Sequence, residues 1–300
     1  MNKRSVAILA ALAVIVVVVA FYAKERHTQS PAQRDVSLQT SARNPVVKKK
    51  TPVPAAVAPN TKPVAQLGYS EKEYRFLRQH YKSPNPQADG PLSASRLKLL
   101  ATNTRNNIVY GRHLWAVAKE VIYGKTSALE NKLDTGLSAD STVIVGYPYN
   151  SRVSLLDLAI QAGQRGSIKV LLAHDASVNP PSVDSSEVPP NAKALQFAGP
   201  LALAAQYGED DVVRTLLRRN ANVNQSVGMG SGNTSALAAA VYGGGPATAY
   251  LLLTHGADIN SVLGPGGTLP GAFKQQYMNS SMVAMRNLLV KYGAKNSSNH

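Results

Sequence analysis

Cysteine is absent from all 300 residues. Disulfide stapling and attachment through a lipidated cysteine are thereby excluded, and stability has to come from packing. Acids are also scarce, with 17 Asp or Glu against 32 Lys or Arg and a formal charge of +15. Such an excess raises nucleic-acid binding as a reading, so its distribution matters. Residues 1–68 carry ten cations against two acids, and residues 69–300 carry 22 against 15. About half the excess therefore lies outside the part able to form a core, and a nucleic-acid role requires the remainder to form one continuous stripe. We expect no nucleic acid among the partners.

Recognisable catalytic sets are missing too. Gly228-Met229-Gly230-Ser231-Gly232 resembles a phosphate loop or a serine elbow, but Asn233 stands where the dinucleotide pattern needs its third glycine, and Met229 and Asn233 stand where the elbow needs its two. Gly264-Pro265-Gly266-Gly267 has no Lys, Ser or Thr in phosphate-binding register. The six histidines include no pair at metal-ligand spacing, and His174 and His255 occupy equivalent helix-end positions. No enzyme activity, cofactor, metal or small-molecule substrate is expected.

What the chain does have begins at its N-terminus. Val6 to Ala23 is an unbroken apolar run of eighteen residues, about 27 Å as a helix, which matches a bilayer core. Asn2-Lys3-Arg4 precedes it, while Lys24 and Arg26 follow, so residues 1–5 are expected in the cytoplasm and residues 6–23 across the membrane. A cleavable signal peptide is the alternative, opposed by the bulky Phe21 and Tyr22 where a cleavage site needs small residues. Residues 24–68 read as a linker rich in proline and lysine. Six prolines and the run Lys48-Lys49-Lys50 fall within 28–68, and a tether of that length spans roughly 35 Å as a coil and about 130 Å as a polyproline helix.

From Tyr69 onward the pattern changes. Ser70 and Glu73 form a capping-box signature, and Tyr74, Leu77 and Tyr81 recur at helical spacing up to Pro84. Then a spacing repeats: Gly124 precedes Gly136 by twelve residues, as Gly163 precedes Asp175, Gly208 precedes Asn220 and Gly244 precedes Gly256. Counting Asn103 and Gly293, six units close at intervals of 33, 39, 45, 36 and 37 residues. A unit that cannot bury its own apolar face stacks on neighbours.

Leu201 to Gly208, then Val212-Val213-Arg214-Thr215-Leu216-Leu217, then Asn220-Ala221-Asn222-Val223-Asn224 resembles an ankyrin repeat. The likeness is strong over 154–260 and weaker at both ends. It implies an all-α solenoid of about six helix pairs with extended finger loops over 69–300. The family's opening Thr-Pro-Leu-His is replaced by Ser154-Leu155-Leu156-Asp157, by Gly199-Pro200-Leu201-Ala202 and by Ser235-Ala236-Leu237-Ala238, removing residues that usually bond between units.

The resemblance also implies a protein partner held against fingers and first helices. Candidate contacts just before the turn glycines are Tyr123, Gln161, Gln206, Tyr207 and Tyr242; packing between helices is the competing account of the tyrosines. The fingers add Tyr147, Tyr149, Arg152 and Phe197. Together these suggest a single-pass protein of a bacterial inner membrane whose periplasmic domain binds, and in an immunity-protein role sequesters, a toxin or enzyme. An envelope scaffold without inhibitory role and a eukaryotic type II membrane protein remain alternatives.

Overall fold

Helices form where apolar residues recur at helical spacing and end where the backbone turns left-handed. The computed structural model describes residues 68–145, 151–179, 196–197, 199–229, 232–263, 267–269, 273 and 279–295. All of them fall within the unit Pro63–His300 rather than Met1–Lys62. Among them no helix is long and apolar enough to cross a membrane; the run from Val6 to Ala23 lies outside the described residues.

The described part is mostly helical. A leading helix α1 (Glu71–His80) and α2 (Ala94–Asn107) precede four helical hairpins: α3 (Trp115–Ile122) with α4 (Thr126–Asp134), α5 (Leu155–Gln161) with α6 (Arg165–Ala173), α7 (Pro200–Tyr207) with α8 (Asp210–Arg218), and α9 (Ala236–Ala239) with α10 (Pro246–Thr254). A last helix, α11 (Ser280–Lys291), packs on α10, and α1 packs on α10 as well. First helices meet first helices in chain order, α3 on α5, α5 on α7 and α7 on α9. Their facing side chains, including Ile122, Leu155, Leu156, Ala159, Ala204, Leu237 and Ala240, are almost fully buried.

The spaced glycines and Asx residues explain the closings. Gly136, Asp175, Asn220, Gly256 and Gly293 all have φ between 59° and 107°. After each, the next amide reaches back five residues, as from Ala176 N to Leu171 O and from Ala221 N to Leu216 O, both 3.0 Å. This is the Schellman ending, and only glycine or an Asx residue takes that conformation cheaply. Gly124, Gly163 and Gly208 end the first helices in the same way. In the fourth hairpin the positive φ moves to Gly245, because the last turn, Ala240–Gly244, is a π-helix whose extra residue shifts the strained position by one.

Two expectations are corrected. Asn103 does not close a unit: α2 continues to Asn107, and Thr104 Oγ1 donates to Leu100 O at 2.8 Å within it. Without a glycine or left-handed residue there, the helix has no reason to stop. The all-α reading fails in the fingers, which form strands: β1 (Ile108–Tyr110), β2 (Thr142–Val145), β3 (Ser151–Ser154) and β4 (Gln196–Phe197) make one sheet in that order, and β5 (Val227–Met229) pairs with β6 (Gly232–Thr234). The β-branched run Thr142-Val143-Ile144-Val145 fits a pleated, half-buried surface better than a coil.

Asn and Asp residues replace the missing bonds between units. Asp140 accepts from Ser177 N, Asn179 from Asn222 N and Asn224 from Asp258 N, each at 2.7 Å. Asn179 and Asn224 also donate to Asn220 O and Gly256 O, at 2.9 and 3.0 Å. Asn224→Ala removes two such bonds and is expected to cost about 1–2 kcal/mol. Asn260→Ala, whose side-chain amide donates to Asp258 Oδ1 two residues away, is expected within about 0.5 kcal/mol of wild type. Urea denaturation of both variants checks the contrast, and equal midpoints refute a ladder between units.

Opening positions are rebuilt as caps. Ser154 Oγ accepts from Asp157 N and Asp157 Oδ2 accepts from Ser154 N, both at 3.0 Å, completing a capping box. Ser235 Oγ caps Ala238 N at 3.1 Å.

Candidate functional site

A helix leaves its last carbonyls without intrahelical donors. Stacking the first helices side by side brings these acceptors into a row at the ends of α5, α7 and the π-turn. Residues 83–92, between α1 and α2, run along that row. Asn85 Nδ2 donates to Gln206 O and to Gly243 O, both at 2.8 Å. Ser83 Oγ donates to Tyr207 O at 3.3 Å and lies 3.4 Å from Gly243 O. Gln87 Nε2 donates to Gln161 O at 3.2 Å, and Leu92 N to Ala162 O at 3.1 Å. Arg78 and Arg165 both donate to Ala88 O, at 3.1 and 3.2 Å.

This contact is close enough to need glycine on the array. A Cβ on Gly163 would stand 2.4 Å from Gly90 O, and one on Gly208 would stand 2.6 Å from Ser83 Cβ. At the α3–α4 turn, Gln164 from the following hairpin does the corresponding work, donating its Nε2 to Ile122 O at 3.0 Å.

The sequence-derived contact residues therefore fall into separate places. Gln161, Gln206 and Tyr207 are half-buried, and their carbonyls hold the chain's own segment. Burial first, then the nearby Glu209 carboxyl, pushes the Tyr207 hydroxyl up to about 12. Tyr123 is half-buried against the core. Tyr242 is 52% exposed. Arg152 is half-buried on β3, its Nε donating to Thr142 Oγ1 at 3.1 Å, and it pairs in register with Phe197 of β4. Tyr147 and Tyr149 lie outside the described residues.

Sequence reasoning missed the residues that hold residues 69–92 in place. The Asp210 carboxylate, 4% exposed, accepts from Thr248 Oγ1 at 2.6 Å and Tyr74 OH at 3.0 Å, with Arg78 Nε at 3.6 Å. Burial nevertheless holds its pKa above the usual carboxylate range. Arg214 lies 4.1 Å from the centre of the Tyr74 ring, and Tyr250 OH accepts from Ser70 N at 2.7 Å. Across a shallow cleft between α1 and α11, Lys291 Nζ pairs with Glu73 at 2.7 Å.

Glu209 is different. It is fully buried and neither carboxyl oxygen has a hydrogen-bond partner. Burial raises it to about 8 against the opposing charge of Arg165. It occupies the place of Gln164, one residue after the turn glycine, but unlike that amide it reaches no helix-end carbonyl. Among the described residues no group of three or more His, Cys, Asp or Glu is placed to hold a metal ion.

Set against known families, residues 199–226 match the Ankyrin repeat. That span runs from the residue before α7 through α8 to the Asn224 rung of the ladder. No curated protein matches the chain. Ankyrin repeats define a class of protein–protein interaction module, and residues 199–226 are similar to one such repeat.

Proposed function

We propose that residues 69–300 form a solenoid of stacked helical hairpins that binds another protein. In this proposal residues 6–23 anchor the chain in a bacterial inner membrane, and residues 24–68 hold the array out in the periplasm. The observation that carries the binding reading is the Ankyrin repeat match at 199–226. It is supported by five helix endings of one kind and by Asn bonds running from unit to unit. Such an array leaves its fingers and outer faces available to a guest.

The proposed contact residues are Arg152 and Phe197 on the finger sheet, Tyr147 and Tyr149 in the same finger, and Tyr242. Arginine and tyrosine are frequent anchors of protein interfaces. The work proposed is sequestration of an enzyme or toxin, as an immunity protein does.

Full-length chain, purified in detergent and immobilised, is expected to capture one dominant protein from periplasmic extract. Arg152→Ala and Tyr242→Ala are each expected to weaken that capture about tenfold, roughly 1.4 kcal/mol. Unchanged affinity in both variants removes these positions from the interface. Deleting residues 6–23 is expected to move the chain from the membrane to the soluble fraction. Retention at the membrane ends the anchoring proposal.

A further inference from the structure

Residues 83–92 are held as a bound peptide is held. Ser83, Asn85 and Gln87 turn toward the array while Pro84, Pro86 and Pro91 are exposed; the backbone is extended at Asn85 and then makes a single 3-10 turn over Pro86–Asp89. Pro86 opens that turn and the prolines remove backbone donors, so side-chain amides and a hydroxyl supply most of the hydrogen bonds that the segment donates to the array. Between Lys82 and Pro91 only Ala88 is a buried apolar residue. A segment with so little apolar burial can separate from its seat while the core beneath stays folded.

The seat itself is incomplete without an occupant. Gln161 stands two residues before Gly163, as Ile122 stands two before Gly124. Ile122 O receives its amide from Gln164 of the array, whereas Gln161 O receives one from Gln87 of the segment. The residue equivalent to Gln164 is Glu209, which is buried, unpartnered and beside Arg165, whose Nη2 donates to the segment at Ala88 O. At this hairpin the array offers an acceptor and relies on another chain segment for the donor.

We propose that this row of helix-end carbonyls is a docking surface for a proline-rich segment of a partner protein that, like Ser83 to Asp89, runs into a single 3-10 turn and presents amide side chains two residues apart. Residues 83–92 are its resident occupant, which the partner displaces. The inference rests on reading the array as a protein-binding module, and it adds a second surface, distinct from the fingers.

Because the chain has no cysteine, one introduced thiol reports opening without background. Ala88→Cys, at a position 3% exposed in the segment, and Ala159→Cys, fully buried in α5, are each made in the full-length chain and treated with a maleimide. The thiol at position 88 is expected to react at least a hundredfold faster than that at 159. Adding Asn85→Ala is expected to raise the rate at 88 about tenfold and leave the rate at 159 unchanged. A fluorescent peptide with the sequence of residues 81–93 is expected to bind the Asn85→Ala chain at least tenfold tighter than the parent. The same peptide with alanine in place of its Asn and Gln is expected not to bind.

Equal rates at the two thiols overturn the proposal, because the segment then opens only when the whole array unfolds. Failure of the peptide to bind the Asn85→Ala chain overturns it as well. Neither measurement involves Arg152 or capture from extract, so the finger interface is judged separately by Arg152→Ala.

Discussion

Replacing Gly244 with alanine is expected to lower the unfolding free energy by about 3 kcal/mol or more. An added Cβ would stand 1.9 Å from the carbonyl oxygen of Ala205 and 3.1 Å from its carbonyl carbon. Both groups are backbone, one at the end of α7 and the other in the π-turn, so no side chain can swing aside. At Gly243 the same contact recurs, 2.6 Å from Gln206 O. Relief requires the third and fourth hairpins to move apart, which also shifts Gln206 O and Gly243 O, the two acceptors of Asn85.

Gly256→Ala isolates the other cost of losing a glycine. Its Cβ would meet nothing within 4 Å, but its φ is +86°, so backbone strain alone predicts about 1 kcal/mol. In a domain of this size 3 kcal/mol corresponds to a fall in Tm of roughly 6–12 °C. Urea and thermal unfolding of the two variants separate close approach from strain. Equal losses would show that backbone contact at Gly244 is not the constraint.

The second large effect is a stability that declines as pH rises. In the folded chain Glu209 is raised to about 8 by burial, while in the unfolded chain it titrates as an ordinary carboxyl. Below the ordinary carboxylate range both states are protonated and the folded state loses nothing. As pH rises the unfolded chain ionises first, and stability falls by about 1.4 kcal/mol per pH step. The fall levels off once pH exceeds 8, where the buried group ionises too, for a total on the order of 4 kcal/mol. Asp157, raised to about 7 by burial against its two bonds with Ser154, contributes in the same direction.

Glu209→Gln keeps the shape and removes the charge. Gln164, in the equivalent place, shows that an amide there can donate to a helix-end carbonyl. The variant is therefore expected to be more stable than the parent by several kcal/mol at pH 8 and nearly equal to it at pH 4. The slope left between these pH values belongs to Asp157 and Asp210, both held up by burial. Urea midpoints at pH 4, 6 and 8 check this, and parallel pH profiles for parent and variant would show that Glu209 is not the titrating group.

Much of the helical framework was legible because its signals are local. The twelve-residue spacing from Gly163 to Asp175 and from Gly208 to Asn220 marks two left-handed residues that bracket a second helix, and both φ values are positive. Ser70 marked the start of α1, where its Oγ accepts from Glu73 N at 3.4 Å. Asn103 misled because it shares the Leu-Leu-x-x-Asn pattern of a closing, although nothing in a sequence pattern forces αL on an asparagine. The Asn179 and Asn224 repeats were visible, but their role between units was not.

The candidate sites were less legible. The finger from Val143 to Arg152 is apolar and aromatic in sequence, yet its pairing with β1 and β4 depends on residues distant in the chain. The seat under residues 83–92 could have been suspected from Ser83, Asn85 and Gln87 alternating with prolines, a stretch that must find acceptors elsewhere. Where they lie is not a local matter. Gln87 reaches across 74 residues to Gln161, and Asn85 across 158 to Gly243.

The sequence by itself determined the repeating helical unit, its turn residues and its apolar faces. Those follow from backbone sterics and from periodicity within about a dozen residues. Only the tertiary structure decided that the fingers join in a sheet, that Glu209 is enclosed without a partner and that the helix ends carry residues 83–92. Each of these depends on which carbonyls and carboxyls stacking leaves facing one another, and that is set by the relative placement of whole hairpins.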